Sequence, residues 1–547
     1  MQKQKAFEMT RRDLLRMAAA GGAQAAIGLG SGAAHGAPVK NAPHSDIPAF
    51  EWEEATIDQL QSAMQSGKAS AVSITQKYLD RIAALDKAGP AINAVIELNP
   101  DALSIARELD AERKNKGPRG PLHGVPVMVK DNLDTHDRMM TTAGSLALQG
   151  SIAPRDSFVV RKLREAGAVL LGKTNLSEWA NFRGHVSTSG WSGRGGLTKN
   201  PYALDRNPSG SSSGSGVAVS SNLCAVAIGT ETDGSIVSPS TACGIVGIKP
   251  TVGLVSRSGI IPISKSQDTA GPMARSVKDA AIMLSAIAGV DPDDPPALPA
   301  REAIPVDYTK FLDRNGLRGA RIGIARQFFN TRPKPREVLK AAIDKLRELG
   351  AELVDPIEIP SINLLDGSEQ LVLMYEFKDG LNRYLDSLGA HAPIRTLADL
   401  IEFNDRHADK ELRYFGQETL IQSQKKGPLT EQAYLDALNR CRDLARTQGI
   451  DAVMDAHHLD AIVAPTGGPA GATDLIYGDR DIGGSSTLAA VAGYPSITVP
   501  AGNVMGLPLG LSFFGRAYSE PTLLKLAYAF EQATKARIAP RFLASIG

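Results

Sequence analysis

Two serines lie in glycine- and serine-rich loops whose residue types suit acyl transfer. Ser211 lies in the stretch Ser209-Gly-Ser-Ser-Ser-Gly-Ser-Gly216, and Ser235 follows 24 residues later in Gly229-Thr-Glu-Thr-Asp-Gly-Ser-Ile236. Between them, the apolar run Cys224-Ala-Val-Ala-Ile228 predicts a buried strand that leads into the second loop. A hydroxyl in a tight turn of small residues can act as a nucleophile, and neighbouring backbone N–H groups can stabilise an oxyanion.

Two other interpretations of the first stretch are weaker. Ser/Gly runs are usually flexible linkers, but a linker is not normally followed by an apolar strand and a second Gly/Ser loop. The segment Gly210-Ser-Ser-Ser-Gly214 also fits the G-x-S-x-G pattern, with Ser212 as nucleophile. That motif requires a strand leading directly into the turn, whereas the lead-in, residues 205–209, is typical of a loop. We therefore reject the second interpretation.

The elements around these loops predict an α/β fold. Residues 125–132 indicate a buried strand that carries Lys130 at its end, and a lysine in such a place is most often solvated. A helix over 156–166 followed by a strand over 168–172 gives a βα alternation, which predicts a mixed sheet covered by helices. Trp179 and Phe182 have the spacing of one helix face, and we expect them to pack in the core.

Several motifs resemble the amidase signature family. Those motifs are Gly210-Ser-Ser-Ser-Gly-Ser-Gly216, Gly229-Thr-Glu-Thr-Asp-Gly-Ser235, Gly244-Ile-Val-Gly-Ile-Lys-Pro-Thr251 and the lysine segment Gly120-Pro-Leu-His-Gly-Val-Pro-Val-Met-Val-Lys-Asp-Asn132. The resemblance runs from about residue 50 to the C-terminus. Within the family, the segments 174–190 and 229–275 are most similar to bacterial peptide amidases. The family resemblance implies one large domain over 38–547, built on a twisted mixed sheet with helices on both faces.

The resemblance also implies a Ser-Ser-Lys triad. In that assignment Ser235 is the nucleophile, Ser211 relays the proton and Lys130 is the base. The backbone N–H groups of Thr232, Asp233, Gly234 and Ser235 form the oxyanion hole, Ser212 supports the lysine, and the Gly210–Ser211 peptide bond is cis. Burial beside apolar neighbours lowers the pKa of a lysine, which makes the base role chemically consistent.

The chain departs from many family members within the nucleophile motif. Many have Asp at Glu231, Gly at Asp233 and often Arg at Val237. The form found here is similar to that of peptide amidases, so we do not transfer properties from the fatty-acid or tRNA-linked branches.

Composition excludes several classes of partner and cofactor. The 547 residues are 43% hydrophobic with a net charge of +1 and 5% aromatic residues, which argues against nucleic-acid binding. Three cysteines make no disulfide framework, and the nine histidines show no metal-ligand spacing. We therefore expect no metal, no cofactor and no nucleic-acid partner, and a monomer acting on a small-molecule or peptide amide.

The N-terminal residues are predicted to form a targeting segment. Thr10-Arg-Arg-Asp-Leu-Leu-Arg16 has the twin-arginine pattern, and residues 1–37 are predicted to form the signal for export to the periplasm or outside the cell. No other apolar run reaches the roughly 18 residues of a membrane span, so we expect no membrane anchoring of the mature protein. A Pro-rich internal joint is predicted near residues 290–305.

The sequence therefore predicts an exported serine hydrolase that converts carboxamides to acid and ammonia, with the C-terminal amide of peptides as substrate. One alternative is a general aliphatic or aryl amidase, which would carry much the same motifs. Alternatives of another class are a non-catalytic binding protein on the same scaffold and an amidotransferase-like subunit. The presence of all three triad residues opposes the former, and the export signal and near-zero charge oppose the latter.

Overall fold

The computed structural model describes residues 47–295, 305–329, 332–365, 367–389 and 392–546. All strands and helices given below lie in these ranges. The strands are β1 (Val95–Leu98), β2 (Pro126–Lys130), β3 (Val169–Thr174), β4 (Trp191–Ser192), β5 (Gly196–Leu197), β6 (Val226–Glu231), β7 (Val246–Lys249), β8 (Thr269–Ala274), β9 (Arg321–Ala325), β10 (Glu352–Ile357), β11 (Ala461–Pro465), β12 (Ser496–Val504) and β13 (Leu507–Phe514). All described residues fall in one compact unit.

Helices fill most of the connections between the strands. They are α1 (Ile57–Gln65), α2 (Ala71–Leu85), α3 (Ala102–Lys116), α4 (Phe158–Glu165), α5 (Ser213–Ser220), α6 (Val237–Ala242), α7 (Val277–Ile287), α8 (Pro333–Glu348), α9 (Ser368–Ser387), α10 (Leu397–Arg406), α11 (Ala408–Glu411), α12 (Glu418–Gln424), α13 (Gln432–Arg442), α14 (Asp451–His457), α15 (Ser486–Ala492) and α16 (Glu520–Thr534). Residues 443–450 form a wider helical turn that joins α13 to α14.

Eleven of the strands form one mixed sheet in the order β1-β3-β2-β6-β8-β7-β12-β13-β11-β9-β10. The pairs β2–β3, β2–β6, β9–β10 and β9–β11 are parallel, and the other neighbours are antiparallel. The small β4–β5 pair stands apart from this sheet. The mixed α/β architecture flanked by helices confirms the predicted fold class.

The central strands are apolar because both of their faces are covered. Val127, Met128 and Val129 in β2 are completely buried, as are Val226 and Ile228 in β6. Burying each such side chain contributes about 1.5–3 kcal/mol to folding. This covered sheet gives rigid support to the residues at its strand ends.

Local signals in the sequence set several element boundaries. A capping box begins α1: the Thr56 hydroxyl accepts a hydrogen bond from the Gln59 N–H, and the Gln59 side chain accepts one from the Thr56 N–H. The predicted strand at residues 224–228 forms two to three residues later, as β6. Boundaries of this kind shift because ladder pairing, more than local composition, decides where a strand begins.

The helix predicted to present Trp179 and Phe182 on one face is wrong. Residues 178–181 form a single tight turn, in which Trp179 and Ala180 have left-handed backbone angles of φ 51° and 53°. Both aromatic side chains are nevertheless core residues, as predicted, and Phe182 packs against Phe377 with ring centroids 5.0 Å apart. Trp179 and Phe182 therefore pack in the core although the segment that carries them is not a regular helix.

Two predictions fall wholly or partly outside the described residues. The export signal over residues 1–37 lies entirely outside them. Residues 296–304 of the predicted joint also lie outside them. The proposed division into signal and enzyme domain therefore stays a prediction.

Candidate active site

Lys130 reaches the site because β2 and β6 are parallel neighbours. Val127 pairs with Val226 and Val129 with Ile228, so both strands end at the same edge of the sheet. Ligand sites in sheets of this kind form at the carboxyl ends of parallel strands. Lys130 is the last residue of β2, which places its side chain beside the loop that follows β6.

Lys130 is fully buried and makes three hydrogen bonds. Its Nζ donates to Oγ of Ser211 at 2.8 Å, and to Oγ1 and the carbonyl oxygen of Thr230 at 2.8 and 3.3 Å. Burial lowers the pKa of Lys130 to about 7, against the opposing charges of Asp268 and Glu231. Near neutral pH much of this lysine is therefore uncharged, which is the form that a general base requires.

Ser211 and Ser212 lie at the start of α5. The Gly210–Ser211 peptide bond is cis, which confirms the expectation drawn from the family. The Ser211 carbonyl accepts a hydrogen bond from the Ser177 N–H at 3.0 Å. A Cβ at residue 210 would lie 2.3 Å from Oγ of Ser177, so only glycine fits at this position. The Ser211 hydroxyl is thereby held against Lys130.

Ser212 supports the site through Thr230. Its hydroxyl donates to the Thr230 carbonyl at 3.0 Å and accepts from the Thr230 N–H at 3.1 Å. The Ser212 N–H in turn donates to the carbonyl of Ser235 at 3.1 Å. Ser212 thus connects the loop before α5 to Thr230 and to the predicted nucleophile Ser235.

The Ser235 loop, residues 232–235, presents four unused backbone donors. Within the described part of the chain, no hydrogen bond uses the N–H group of Thr232, Asp233, Gly234 or Ser235. Gly234 has φ +78°, a left-handed conformation that favours glycine. The Ser235 side chain is 8% exposed and its hydroxyl has no partner among the described residues. The predicted nucleophile and the predicted oxyanion donors therefore lie in one loop.

Glu231 closes the Ser235 loop from behind. Its Oε2 accepts hydrogen bonds from the N–H groups of Ile236 and Val237 at 2.7 and 3.0 Å. Burial raises the pKa of Glu231, and the charge of the buried Lys249 opposes that rise. These two bonds cap the first turn of α6 and turn the chain sharply just after Ser235.

Asp233 points away from α5 and toward α15. Its Oδ2 accepts a hydrogen bond from Oγ1 of Thr487 at 2.8 Å. Burial raises the pKa of Asp233, while hydrogen bonds from Ser486 and Thr487 act in the opposite direction. The residue that departs from the common family pattern therefore anchors the Ser235 loop to a helix far along the chain.

A cavity of about 760 Å³ adjoins this site. Residues that line it include Asn132, Thr230, Thr232, Ile261, Asp268 and Tyr384. Thr230 holds Lys130, and Thr232 belongs to the Ser235 loop. The cavity therefore adjoins both the residue that holds Lys130 and the first residue of the Ser235 loop.

The structure brings all the predicted site residues together, and it adds three that the sequence analysis missed. Thr230 holds Lys130, Asn132 donates to the Thr230 hydroxyl at 3.0 Å, and Asp268 accepts a hydrogen bond from the Thr232 hydroxyl at 2.5 Å. Thr230 and Asn132 lie inside motifs already recognised, two residues or fewer from a glycine or lysine of those motifs. Asp268 had no such signal, because its role depends on long-range packing.

The described residues also bear on the metal and membrane questions. Among them, no group of three or more His, Cys, Asp or Glu side chains is gathered closely enough to hold a metal ion. Likewise, none of the helices formed by these residues has both the length and the apolar composition needed to cross a membrane.

The chain is similar to known amidases over most of its length. The family model described as Amidase matches residues 73–524. The X-ray structure of native peptide amidase from Stenotrophomonas maltophilia superimposes with a TM-score of 0.86 at 54% identity, covering 90% of this chain and 100% of that one. A probable amidase of Arabidopsis thaliana is 44% identical over 504 residues, which cover 90% of this chain and 93% of the relative.

Relatives named for another activity are less similar in sequence. A glutamyl-tRNA(Gln) amidotransferase subunit of Thermoanaerobacter pseudethanolicus is 35% identical over 503 residues, covering 90% of this chain and 99% of the relative. The family match spans most of the chain and includes every motif that builds the site. The chain therefore belongs to the amidase signature family and is an amidase.

Proposed function

We propose that this amidase hydrolyses carboxamides through a Ser-Ser-Lys triad of Ser235, Ser211 and Lys130, and that its substrates are the C-terminal amides of peptides. The observation that carries the triad is the 2.8 Å contact between Lys130 and Ser211 at a fully buried lysine. The similarity to a peptide amidase at 54% identity supports the choice of substrate.

In the first step Ser235 attacks the amide carbonyl. Uncharged Lys130 accepts the proton of the Ser211 hydroxyl while Ser211 accepts that of Ser235, and Oγ of Ser235 bonds to the carbonyl carbon. The carbonyl oxygen becomes an oxyanion, which the free N–H groups of the Ser235 loop stabilise. One such donor contributes about 3 kcal/mol to transition-state stabilisation.

Collapse of this intermediate releases ammonia. The proton held by Lys130 returns through Ser211 to the leaving nitrogen, because an amide anion is a poor leaving group. The C–N bond breaks, and Ser235 carries the acyl group as an ester. Water then attacks the ester carbonyl and gives its proton to the same relay. The bond between the acyl carbon and Oγ of Ser235 breaks, Oγ takes the proton back from the relay, and the acid is released.

Three features position these groups for the relay. Thr230 and Ser211 fix the lysine nitrogen, and Ser212 joins the two serine loops through its bonds to Thr230 and Ser235. The unpartnered hydroxyl of Ser235 remains free to turn toward Ser211 or the substrate. Hydrogen bonds of catalytic groups commonly tighten only when substrate binds.

Incubation of the purified enzyme with a C-terminally amidated peptide tests the substrate proposal. We expect ammonia release and a product that is heavier by about 1 Da, with internal peptide bonds intact. Internal fragments in the mass spectrum would contradict the assignment. Turnover of simple aliphatic or aryl amides with no turnover of the peptide amide would favour a general amidase instead.

A second assay separates the triad from the substrate. A serine-directed fluorophosphonate should label the wild-type enzyme at Ser235, as located by peptide mapping. Ser235→Ala should abolish the label, whereas Ser238→Ala, a matched change three residues away in α6, should keep it. Labelling at a different serine would refute the proposed nucleophile whatever the natural substrate is.

A further inference from the structure

Asp268 is half-buried, and its carboxyl group contacts the Ser235 loop from the side of the cavity. Its Oδ1 accepts a hydrogen bond from the Thr232 hydroxyl at 2.5 Å, and its Oδ2 accepts bonds from the N–H groups of Ile263 and Ser264, both at 2.8 Å. Asp268 also lines the cavity beside Thr230 and Thr232. A carboxylate with three hydrogen bonds in this place is built into the site.

The segment that carries Asp268 is fixed from behind. The buried Glu376 in α9 accepts hydrogen bonds from the hydroxyl of Ser264 at 2.5 Å and from the N–H of Ser266 at 3.0 Å. The Ile261 N–H donates to the carbonyl of Asn132, two residues after Lys130. The position of Asp268 relative to the lysine is therefore set by the fold.

Two carboxyl groups act electrostatically on Lys130. Facing it are Asp268 from the segment before β8 and Glu231 from β6, and both carboxyl groups oppose the effect of burial on its pKa. Glu231 already uses its Oε2 on two backbone donors and is opposed by the charge of Lys249. Lys130 forms no ion pair in the described part of the chain. Of the two carboxyl groups, Asp268 is the one that lines the cavity with Thr230 and bonds to Thr232.

Lys173 and Asp131 belong to the other face of the sheet. Lys130 pairs with Thr174 in β3, so the side chain of Lys173 points to the opposite side. There Lys173 donates to the Leu133 carbonyl at 2.7 Å. The charge of Asp131 acts on Lys173 and not on the base.

We propose that Asp268 is a positioning residue that sets the protonation of Lys130 and holds Thr232 of the Ser235 loop in place. The inference rests on the proposed role of Lys130 as base. The carboxylate stabilises the protonated lysine and so counteracts the effect of burial, which alone would leave the nitrogen too weak a base. Through Thr232 the same group ties the base to the backbone donors.

The charge state of Asp268 fits this role. Burial raises its pKa to about 6, while the bonds from Thr232, Ser264 and Ile263 and the charge of Arg257 lower it. The pKa of Lys130 is about 7. At the pH at which half of the lysine is protonated, most of the carboxyl group is therefore ionised.

The test is the pH dependence of two rates between pH 5 and 9: release of ammonia from an amidated dipeptide, and labelling of Ser235 by a fluorophosphonate. In Asp268→Asn the lysine lacks its counter-charge and loses its proton more easily. We expect the acid limb of both profiles to move down by about one pH unit, with a lower plateau. Asn retains the size of the side chain and can still accept the two N–H bonds.

Matched variants separate charge from structure. Asp268→Ser removes the same charge with a smaller side chain and should shift the limb in the same direction, and Asp268→Glu should restore it. Asp279→Asn makes the same change in a buried carboxyl of α7, whose pKa burial also raises to about 6, and should leave the limb where it is. An unmoved limb in the neutral Asp268 variants would overturn the inference.

The variant Lys130→Ala tests the underlying mechanism, in which Lys130 is the base, separately from the role of Asp268. If Lys130→Ala retained the wild-type acid limb, Lys130 would not be the base, and the proposed function would fail together with this inference. If Lys130→Ala removed that limb while Asp268→Asn left it in place, only the role of Asp268 would be refuted.

Discussion

Nζ of Lys130 lies 2.8 Å from Oγ of Ser211, although 81 residues separate the two along the chain. Both side chains are buried, so the contact is made away from bulk water. In such surroundings an amine loses its proton readily and a hydroxyl is a direct partner for it. In the proposed mechanism this pair supplies a base without histidine, and the protonation of one lysine should then control turnover.

The first prediction concerns the two serines. Ser235→Ala removes the atom that carries the acyl group, and we expect kcat to fall by at least about 10⁴-fold and covalent labelling to vanish. Ser211→Ala interrupts the relay but leaves the nucleophile in place, so slow labelling of Ser235 should persist. Steady-state kinetics and intact-protein mass spectrometry check both. Near-wild-type turnover in Ser211→Ala would exclude the relay.

The second prediction is that turnover depends on the protonation of Lys130. In the proposed mechanism the uncharged amine is the active form. Its pKa is about 7, so kcat should rise with pH through this value and level off above it. Lys130→Ala should lower kcat sharply and leave residual activity that keeps rising with pH, because hydroxide replaces the base. Lys162→Ala, a change in a partly exposed lysine of α4, should keep the wild-type profile.

The third prediction concerns a buried pair of carboxyl groups away from the triad. Glu178 and Glu411 surround Gly193, whose N–H donates to Glu178 at 2.6 Å. Arg183 donates to Glu178 at 2.7 Å and lies 3.7 Å from Glu411. Burial and the Glu178 carboxyl raise the pKa of Glu411 to about 9. One proton is therefore retained between the two groups at neutral pH.

This proton makes stability fall as pH rises. The folded state keeps it up to about pH 9, whereas the unfolded chain releases it near pH 4.5, so the free energy of unfolding decreases between these values. Glu411→Gln cannot ionise and still accepts the Leu146 N–H bond. We expect its Tm relative to wild type to increase with pH, by about 1–3 °C from pH 5 to 9.

Differential scanning fluorimetry at several pH values measures this change in Tm. Glu402→Gln, in a side chain that is 69% exposed on α10, is the control and should show no pH-dependent difference. A Tm difference between Glu411→Gln and wild type that stayed constant from pH 5 to 9 would contradict the shared proton.

The fourth prediction concerns the N-terminal segment. We propose that Arg11 and Arg12 direct export, and replacing both with Lys should leave folded, active enzyme in the cytoplasm. Cell fractionation followed by an activity assay on each fraction tests this. Equal amounts of mature enzyme outside the cytoplasm in variant and wild type would rule out the twin-arginine interpretation.

Local patterns were sufficient for the elements that carry the triad. The apolar runs before Lys130 and before Gly229 both form buried strands, and the Gly/Ser composition marks the two loops correctly. The strand β8 was not predicted, because Gly271 and Pro272 lie inside it and both residues weaken a strand assignment. Its pairing with β6 provides the stabilisation that its composition lacks.

What the sequence could not provide is the pairing of distant segments. Motifs identified Lys130, Ser211 and Ser235, but nothing local places Asp268 against Thr232, 36 residues away. The tight turn at Trp179 is similar: two residues with side chains adopt left-handed angles that their local preferences disfavour. Tertiary packing decides both features.

The position of the last two strands limits when this protein can fold. β12 and β13 come from the C-terminal tenth of the chain, yet they fill the gap between β7 and β11 in the interior of the sheet. Until they arrive, β7 and β11 expose unpaired edges that invite pairing with other chains. During synthesis the sheet therefore remains open until nearly the whole polypeptide has left the ribosome, and loss of a short C-terminal piece would divide the sheet in two.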